Sequence, residues 1–149
     1  MQVTGEFVFA CTRQQLWDFL NDASALKRCT PGCEEMTAVG PDEYFVSMSL
    51  GIAAIKGTYQ GRFTISDKQE PDAMTMRIET TGAGGFANVG GRLELTDQGD
   101  GANLVYNWGV EVGGPLAMAG QRILGGLAKW VVDQFFGAAR KELEARKAG

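Results

Sequence analysis

Apolar and polar residues alternate along most of the chain up to Val112, and a period of two predicts β-strands with one apolar and one solvated face. Turns rich in Gly, Pro and Asp separate most of the alternating segments. The segments are Val3–Ala10, Glu34–Val39, Tyr44–Leu50, Ile55–Ser66, Met74–Glu79, Ala87–Leu95 and Leu104–Val112. Because their connections are short, we expect sequence neighbours to pair as antiparallel strands of one sheet.

The residues after the first strand change to a helical period. Thr12 lies three residues before Gln15, which is the spacing of a capping box at the start of a helix. The apolar residues of Leu16–Leu20 then predict a short amphipathic helix. A second helix of one or two turns is expected over 23–28, before Pro31-Gly32 turns the chain.

The last third of the chain carries apolar residues at helical spacing, with no turn signal after Pro115. It predicts one helix from about Ala117 to Ala145, about 40 Å long at ~1.5 Å per residue. Its apolar stripe is wide, and the inner face of the sheet is the apolar surface large enough to cover it.

Three glycines, Gly120, Gly125 and Gly126, lie in the first half of that predicted helix. Each costs about 1 kcal/mol relative to alanine in a helix interior. Two explanations are open. The helix backbone approaches a strand closely there, or the small residues leave room for something that is not protein.

Composition narrows the class of protein. The chain has 149 residues, 44% of them hydrophobic and 21% charged, which is typical of a single globular domain spanning 1–149. A net charge of −4 argues against nucleic acid as a partner. No apolar run reaches the ~20 residues that cross a bilayer, and no signal peptide is recognisable, so we expect a cytoplasmic protein.

Histidine is absent from the sequence, which removes the commonest general base and the Ser-His and Cys-His nucleophile pairs. The three cysteines, Cys11, Cys29 and Cys33, do not form a secretory disulfide pattern. The pair Cys29 and Cys33 leaves two interpretations open, a metal or redox site and a turn that carries two small, half-buried thiols. Nothing else in the sequence predicts a cofactor or a metal.

The stretch Gly82–Ala87 satisfies the spacing G-x-G-x-x-G/A of dinucleotide-binding loops. That motif needs a strand before it and a helix after it, whereas the residues after Gly85 alternate as another strand. We therefore interpret it as a hairpin connection at the rim of an apolar pocket, with Phe86 as part of a mobile lid. Gly90 and Gly91, inside the following strand, predict a bulge or a bend.

Several longer stretches carry a family resemblance over nearly the whole chain, in order and with few gaps. They are LWDFLND at Leu16–Asp22, CTPGCEEM at Cys29–Met36, DEYFVSMSLGIAAIKGTYQGRFTISD at Asp42–Asp67, GGFANVGGRLEL at Gly84–Leu95, VGGPLAMAGQRILGGLAKWVVDQFF at Val112–Phe136, and the strand that contains Trp108. Together they resemble the carbon monoxide dehydrogenase G-subunit family, which belongs to the polyketide cyclase and START-like (SRPBCC) superfamily. The resemblance implies an α+β helix-grip fold, in which a curved antiparallel seven-stranded sheet wraps around the long C-terminal helix, with two short helices after the first strand.

The same resemblance implies a function. Members of the family look like small, metal-free companions of molybdenum-containing CO dehydrogenase that are not its catalytic chain. They are linked to its maturation or to its coupling with the membrane and an electron acceptor, and the fold typically binds a hydrophobic small molecule, with a quinone or a lipid as the candidate. Some members carry a further C-terminal tail proposed to contact the membrane. In this sequence, which ends at Gly149, we expect any peripheral contact with the inner membrane face to use the cavity mouth or a partner protein.

Candidate ligand contacts are apolar and soft side chains of the predicted strands and the C-terminal segment. They are Met48, Tyr59, Phe63, Met74, Met76, Phe86, Tyr106, Trp108, Leu116, Met118, Ile123, Leu127 and Val131. Methionine adapts to irregular apolar shapes, and a mostly apolar cavity is typical of small-molecule sites. No catalytic set is predicted, so the leading hypothesis is a non-enzymatic binding or accessory protein. A cyclase- or hydratase-like enzyme using the same cavity, and an assembly factor whose cavity is closed by side chains, remain as alternatives.

Overall fold

The structure is a computed structural model that describes residues 1–51 and 56–148. In chain order its elements are β1 (Gln2–Phe9), α1 (Arg13–Leu20), α2 (Ala23–Cys29), β2 (Cys33–Gly40), β3 (Glu43–Leu50), β4 (Gly57–Gln69), β5 (Ala73–Gly82), β6 (Gly85–Gln98), β7 (Gly101–Gly113), a 3-10 helix (Gly114–Ala119) and α3 (Gln121–Ala148). The predicted strands and the two short helices after the first are confirmed. Ile55, where the fourth strand was predicted to start, lies outside the described residues.

These strands form one antiparallel sheet in the order β1-β7-β6-β5-β4-β3-β2. Helices α1 and α2 carry the chain from one edge of the sheet to the other, so β1 pairs with β7 rather than with β2. Pairing brings apolar residues of neighbouring strands together, with Val3 opposite Trp108 and Met48 opposite Tyr59. The sheet therefore has an apolar inner face, and α3 packs on it.

Local hydrogen bonds define where the two short helices begin. The Thr12 hydroxyl accepts a hydrogen bond from the Gln15 N–H at 3.1 Å, and the Thr12 N–H donates to Gln15 Oε1 at 2.9 Å. This is the predicted capping box. The Asp22 carboxylate caps α2 by accepting from the N–H groups of Ser24 and Ala25. Both helices then join the hydrophobic core through their apolar faces.

An aromatic cluster around Phe136 of α3 forms the centre of the core. Between ring centroids, Phe136 lies 4.8 Å from Phe7, 5.7 Å from Tyr106 and 6.3 Å from Trp108. Phe9 adds a further ring at 6.4 Å. Aromatic pairs at such separations contribute about 0.5–1.5 kcal/mol each beyond the area they bury. The cluster therefore ties the second half of α3 to strands β1 and β7.

The C-terminal helix differs from the prediction at its start. A 3-10 helix occupies Gly114–Ala119, and α3 runs over Gln121–Ala148 instead of beginning at Ala117. Gly120 separates the two with φ +87°, a conformation that L side chains rarely adopt. Periodicity alone missed this break because a 3-10 turn places residues of one face three apart, a spacing that an α-helix shares.

For two other pairs of glycines, the structure excludes one of the two predicted roles. A Cβ added at Gly125 would meet only the Met1 sulfur, at 3.4 Å, and one added at Gly126 would meet no described atom within 4 Å. Neither glycine therefore marks a close approach of the helix to a strand. In β6, Gly90 and Gly91 keep a continuous register with β5 and β7, so this part of the described strand contains no bulge, and the other alternative, a bend, stays a prediction.

Candidate functional site

A cavity of about 250 Å³ lies between the inner face of the sheet and α3. All seven strands contribute to its lining, together with α2, the 3-10 helix and α3, and nearly all of the lining is apolar. Protein interiors are close-packed, and the voids they contain are few and seldom larger than a water molecule. A cavity of this size and polarity is therefore the candidate ligand site of the chain.

Most of the predicted ligand contacts line this cavity. They are Met48, Tyr59, Phe63 and Met76 on strands β3 to β5, Trp108 on β7, Leu116 on the 3-10 helix, and Leu127 and Val131 on α3. Alternation along each strand selects the inward side chains, and antiparallel pairing then aligns them across the sheet. Helix α3 completes the enclosure from the opposite side.

Two predicted contacts, Met74 and Tyr106, lie in the packed core instead of the cavity lining. The Tyr106 ring packs against Phe7 and Phe136. Its hydroxyl lies against Gly5, where an added Cβ would stand 2.8 Å from the oxygen. Burial raises the pKa of Tyr106. Alternation predicted the correct face for both residues, but it does not tell which part of that face the helix covers.

Phe86 lies on the outer face of the sheet, away from the cavity. Its neighbours Ala87 and Val89 take the inward positions of β6, and successive side chains of a strand point to opposite faces. Together with Asn88 and Glu111, Phe86 lines a shallow groove on the outer face. The structure therefore does not support the predicted role of Phe86 as a lid over the cavity.

The remaining two predicted contacts, Met118 and Ile123, are 89% and 59% exposed, because the helical period turns them away from the sheet. Trp130 of α3 is also exposed, at 41%. We call these three residues the outer apolar patch. The exposed cations Arg122 and Lys129 lie in the same part of the chain. None of the described helices is long and apolar enough to cross a membrane.

Sequence reasoning missed part of the cavity lining. Leu50, Val110 and Val112 share the inward parity of their strands with predicted contacts, so alternation could have identified them. Leu26 and Cys33 also line the cavity, since α2 packs next to β2 at one edge of the sheet. That placement depends on tertiary packing, and no local pattern reveals it.

The glycine connection Gly82–Gly85 packs against Tyr59, which explains part of its composition. A Cβ added at Gly84 would stand 2.5 Å from the Tyr59 hydroxyl oxygen. The Gly84 carbonyl accepts a hydrogen bond from the Leu116 N–H at 2.7 Å, which joins the 3-10 helix to this connection. Tyr59, Leu116 and Leu124 form a small hydrophobic cluster apart from the main core. The glycine at 84 thus makes room for a phenol rather than for a phosphate.

Polar atoms are few in the lining residues. The Tyr59 hydroxyl and the Trp108 indole Nε1 are buried, and neither has a hydrogen-bond partner among residues 1–51 and 56–148. The sequence leaves open whether the tyrosine hydroxyls meet the cavity or are satisfied in the core, and the Tyr106 hydroxyl likewise has no partner in these ranges. A buried polar group without a partner costs about 1–3 kcal/mol.

The described lining contains no carboxylate, and its charged member, Arg77, pairs with the exposed Glu79 at 3.0 Å. Burial raises the pKa of the Cys33 thiol, and burial followed by the nearby Glu142 carboxylate raises the pKa of Cys29 to about 11. Both thiols are therefore protonated at neutral pH and poorly nucleophilic. Within the described ranges, no group of three or more His, Cys, Asp or Glu side chains could hold a metal ion. The described arrangement can enclose an apolar body.

Two similarities bear on the family. Residues 5–144 match the family model CoxG, which describes the G-subunit family of carbon monoxide dehydrogenase. The crystal structure of a conserved protein from Geobacillus kaustophilus is similar to this chain, with 33% sequence identity and a TM-score of 0.94 over 97% of this chain and 96% of that one. No curated protein sequence matches the chain.

Two further solved structures are similar in fold. A START superfamily protein from Mycobacterium smegmatis has a TM-score of 0.77 at 12% identity, over 97% of both chains. A fragment of a STAR-related lipid transfer protein from Xanthomonas axonopodis has a TM-score of 0.61 at 20% identity, over 96% of this chain and 85% of that one. With its antiparallel sheet around a C-terminal helix and its family match over residues 5–144, this chain belongs to the carbon monoxide dehydrogenase G-subunit (CoxG) family and has the START-like helix-grip fold.

Proposed function

We propose that the chain is a non-catalytic accessory protein that holds an apolar small molecule between its sheet and α3 and serves a molybdenum enzyme of the CO dehydrogenase type. The observation that carries this proposal is the cavity of about 250 Å³ with its almost wholly apolar lining. Transfer of apolar surface from water into such a site is favourable by roughly 25 cal/mol per Å². Membership of the family supports the link to the enzyme.

The two alternatives receive less support. A cyclase- or hydratase-like enzyme needs a carboxylate or an arginine directed into the cavity, and the described lining offers only Arg77, which pairs with the exposed Glu79. An assembly factor with a closed cavity would fill the space under α3 with side chains, whereas that space is open here.

The first test asks whether the cavity binds an apolar molecule. N-phenyl-1-naphthylamine, whose fluorescence rises in apolar surroundings, should bind the purified chain, and native mass spectrometry should detect a ligand retained through purification. In Val131→Trp the larger ring occupies part of the cavity. Displacing about 60 Å² of apolar ligand contact costs about 1.5 kcal/mol, which lowers the affinity for the probe roughly tenfold.

Gln134→Trp is the matched control, because it adds the same side chain to an exposed position of the same helix. We expect it to bind the probe as the unmodified chain does. Equal affinities in Val131→Trp and the unmodified chain would contradict the cavity as the site. The carrier function itself fails if the unmodified chain retains no ligand and binds neither the probe, a quinone nor a lipid.

We infer further that the ligand carries carbonyl oxygens, as a quinone does. The indole Nε1–H of Trp108 can only donate a hydrogen bond, and the Tyr59 hydroxyl can donate one as well. Both groups belong to residues that line the cavity, and both are buried without a partner in the described ranges. A ligand acceptor would satisfy them, whereas a pure hydrocarbon would leave their cost unrelieved.

Menadione and 2-methylnaphthalene test this inference, because they share a ring system and differ in the two carbonyl groups. One hydrogen bond contributes about 0.5–1.5 kcal/mol, so loss of a donor should reduce the preference for menadione about three- to tenfold. We expect that reduction in Trp108→Phe or Tyr59→Phe, with affinities measured by titration calorimetry. The hydrocarbon serves as the control for packing within each variant. An unchanged preference in both variants would exclude these donors as ligand contacts.

A peripheral membrane contact is supported by the outer apolar patch. Met118, Ile123 and Trp130 expose large apolar side chains. Arg122 and Lys129, which precede Ile123 and Trp130 in the chain, are exposed cations, and Lys129 also pairs with Asp133 at 3.5 Å. Apolar side chains with a tryptophan and flanking cations are typical of surfaces that lie in the headgroup region of an anionic bilayer. An apolar ligand of low solubility would then enter the protein from the bilayer without crossing water.

Sedimentation with vesicles of phosphatidylcholine and phosphatidylglycerol tests the contact. Ile123→Ser removes a side chain whose burial in lipid is worth about 1.5–3 kcal/mol, so its partitioning into the vesicle fraction should fall about tenfold or more. Val39→Ser is the control, since Val39 is similarly exposed but lies on the edge strand β2. Equal losses in the two variants, or no binding by the unmodified chain, would argue against a membrane surface at the patch.

The link to the enzyme is tested by co-purification from cells that express a molybdenum enzyme of the CO dehydrogenase type. A tagged chain should retain the subunits of that enzyme, identified by mass spectrometry. Val131→Trp, which fills part of the cavity, distinguishes an accessory role that needs a bound ligand from one that does not. A ligand-dependent role predicts reduced retention, whereas an assembly factor that acts without a ligand predicts equal retention. If neither the unmodified chain nor Val131→Trp retains any of these subunits, the link to the enzyme is contradicted.

A further inference from the structure

The segment Gly114–Leu127 covers one end of the cavity, and we call it the entry segment. It comprises the 3-10 helix and the first turns of α3. Gly114 begins it with φ +72°, and Gly120 interrupts it with φ +87°. A Cβ at Gly120 would meet nothing within 4 Å among the described atoms. The backbone can therefore turn at Gly120 without displacing a packed side chain, whereas Gly114 packs against Gly85, whose Cα would stand 3.0 Å from an added Cβ.

Among the described residues, the small cluster and the sheet residues packed against it, Leu50, Ala87 and Val112, hold the entry segment. Leu116 and Leu124 pack with Tyr59 in the small cluster, and the Leu116 N–H donates to the Gly84 carbonyl at 2.7 Å. Leu116, Leu124 and Leu127 also line the cavity, so the side chains that hold the segment closed are ones that would contact a ligand. The second half of α3 is held differently, by Phe136 and other residues buried in the main core.

The two adjacent glycines of α3 weaken the same segment selectively. Gly125 and Gly126 lie in the second turn of α3, and each lowers helix stability by the amount that separates glycine from alanine. Packing does not require them, because an added Cβ meets only the Met1 sulfur at position 125 and no described atom within 4 Å at position 126. Neither lines the cavity, so they do not make space for a ligand either.

We propose that Gly125 and Gly126 make the entry segment a gate: it unfolds locally, turns about Gly120, and admits an apolar molecule to the cavity. The inference rests on the proposed function, because a gate matters only if a ligand enters the cavity. Local opening of weakly held segments is common in folded proteins, and its free energy ranges from near zero up to the global stability. A gate explains why Gly125 and Gly126 are present, which neither packing against a strand nor space for a ligand explains.

Opening of such a gate would control the rate constants of ligand association and dissociation. Both the free and the bound protein have the entry segment closed, so a change that stabilises its helix slows entry and exit by the same factor. The dissociation constant, which is the ratio of the two rate constants, then stays unchanged. A substitution that altered the cavity itself would change the dissociation constant instead.

The test is stopped-flow fluorescence with N-phenyl-1-naphthylamine on the full chain. Gly126→Ala should slow association and dissociation about fivefold each, and Gly125→Ala combined with it should slow them roughly 30-fold, at constant Kd. Gly137→Ala is the matched control, because Gly137 lies in the same helix and an added Cβ there would also meet no described atom within 4 Å. It lies beyond the entry segment, so both rate constants should stay at the unmodified values.

Hydrogen exchange supplies a second measurement. Amides in the first turns of α3 should exchange faster than those around Phe136, and Gly126→Ala should slow the exchange of the first group alone. Unchanged rate constants in Gly126→Ala, or equal slowing by Gly137→Ala, would overturn the proposed gate while leaving the carrier function intact. Absence of probe binding in the unmodified chain would instead overturn the proposed function.

Discussion

The packing of Phe136 against Phe7, Tyr106 and Trp108 is the contact on which the rest of this structure depends. It fixes the second half of α3 to β1 and β7, where Ala139 is also fully buried. The first half of the same helix lines the cavity through Leu124, Leu127 and Val131, opposite residues of all seven strands. The candidate ligand site is thus a consequence of where the helix is held and where it is not.

The two hydrophobic clusters divide the molecule into parts of different local stability. The main core joins α1, α2, β1 and the second half of α3, and it contains most of the fully buried side chains. The small cluster around Tyr59 is held by Leu116 and Leu124 and lies at the other end of the cavity. Because local stability follows the number of buried apolar contacts, we expect the end of α3 around Phe136 to be more rigid than the end around Leu124.

The candidate site was predictable to the extent that it depends on strand alternation. Met48, Phe63 and Met76 line the cavity as their parity predicted. Tyr106 has the same inward parity as Trp108, two residues away, and yet it is core because the Phe136 ring covers it. Parity assigns a side chain to a face of the sheet, whereas the position of the helix over that face decides between packing and cavity.

The sequence by itself determined the seven strands, the capping box at Thr12 and the presence of a C-terminal helix, because these follow from local spacing and local hydrogen bonds. It also excluded Gly82–Ala87 as a phosphate loop, since a strand follows it. Only the tertiary structure decided that Gly84 accommodates the Tyr59 phenol, that Phe86 faces outward, and that Gly125 and Gly126 have no packing partner among the described atoms beyond the Met1 sulfur. These facts depend on distances between residues far apart in the chain, which no local pattern contains.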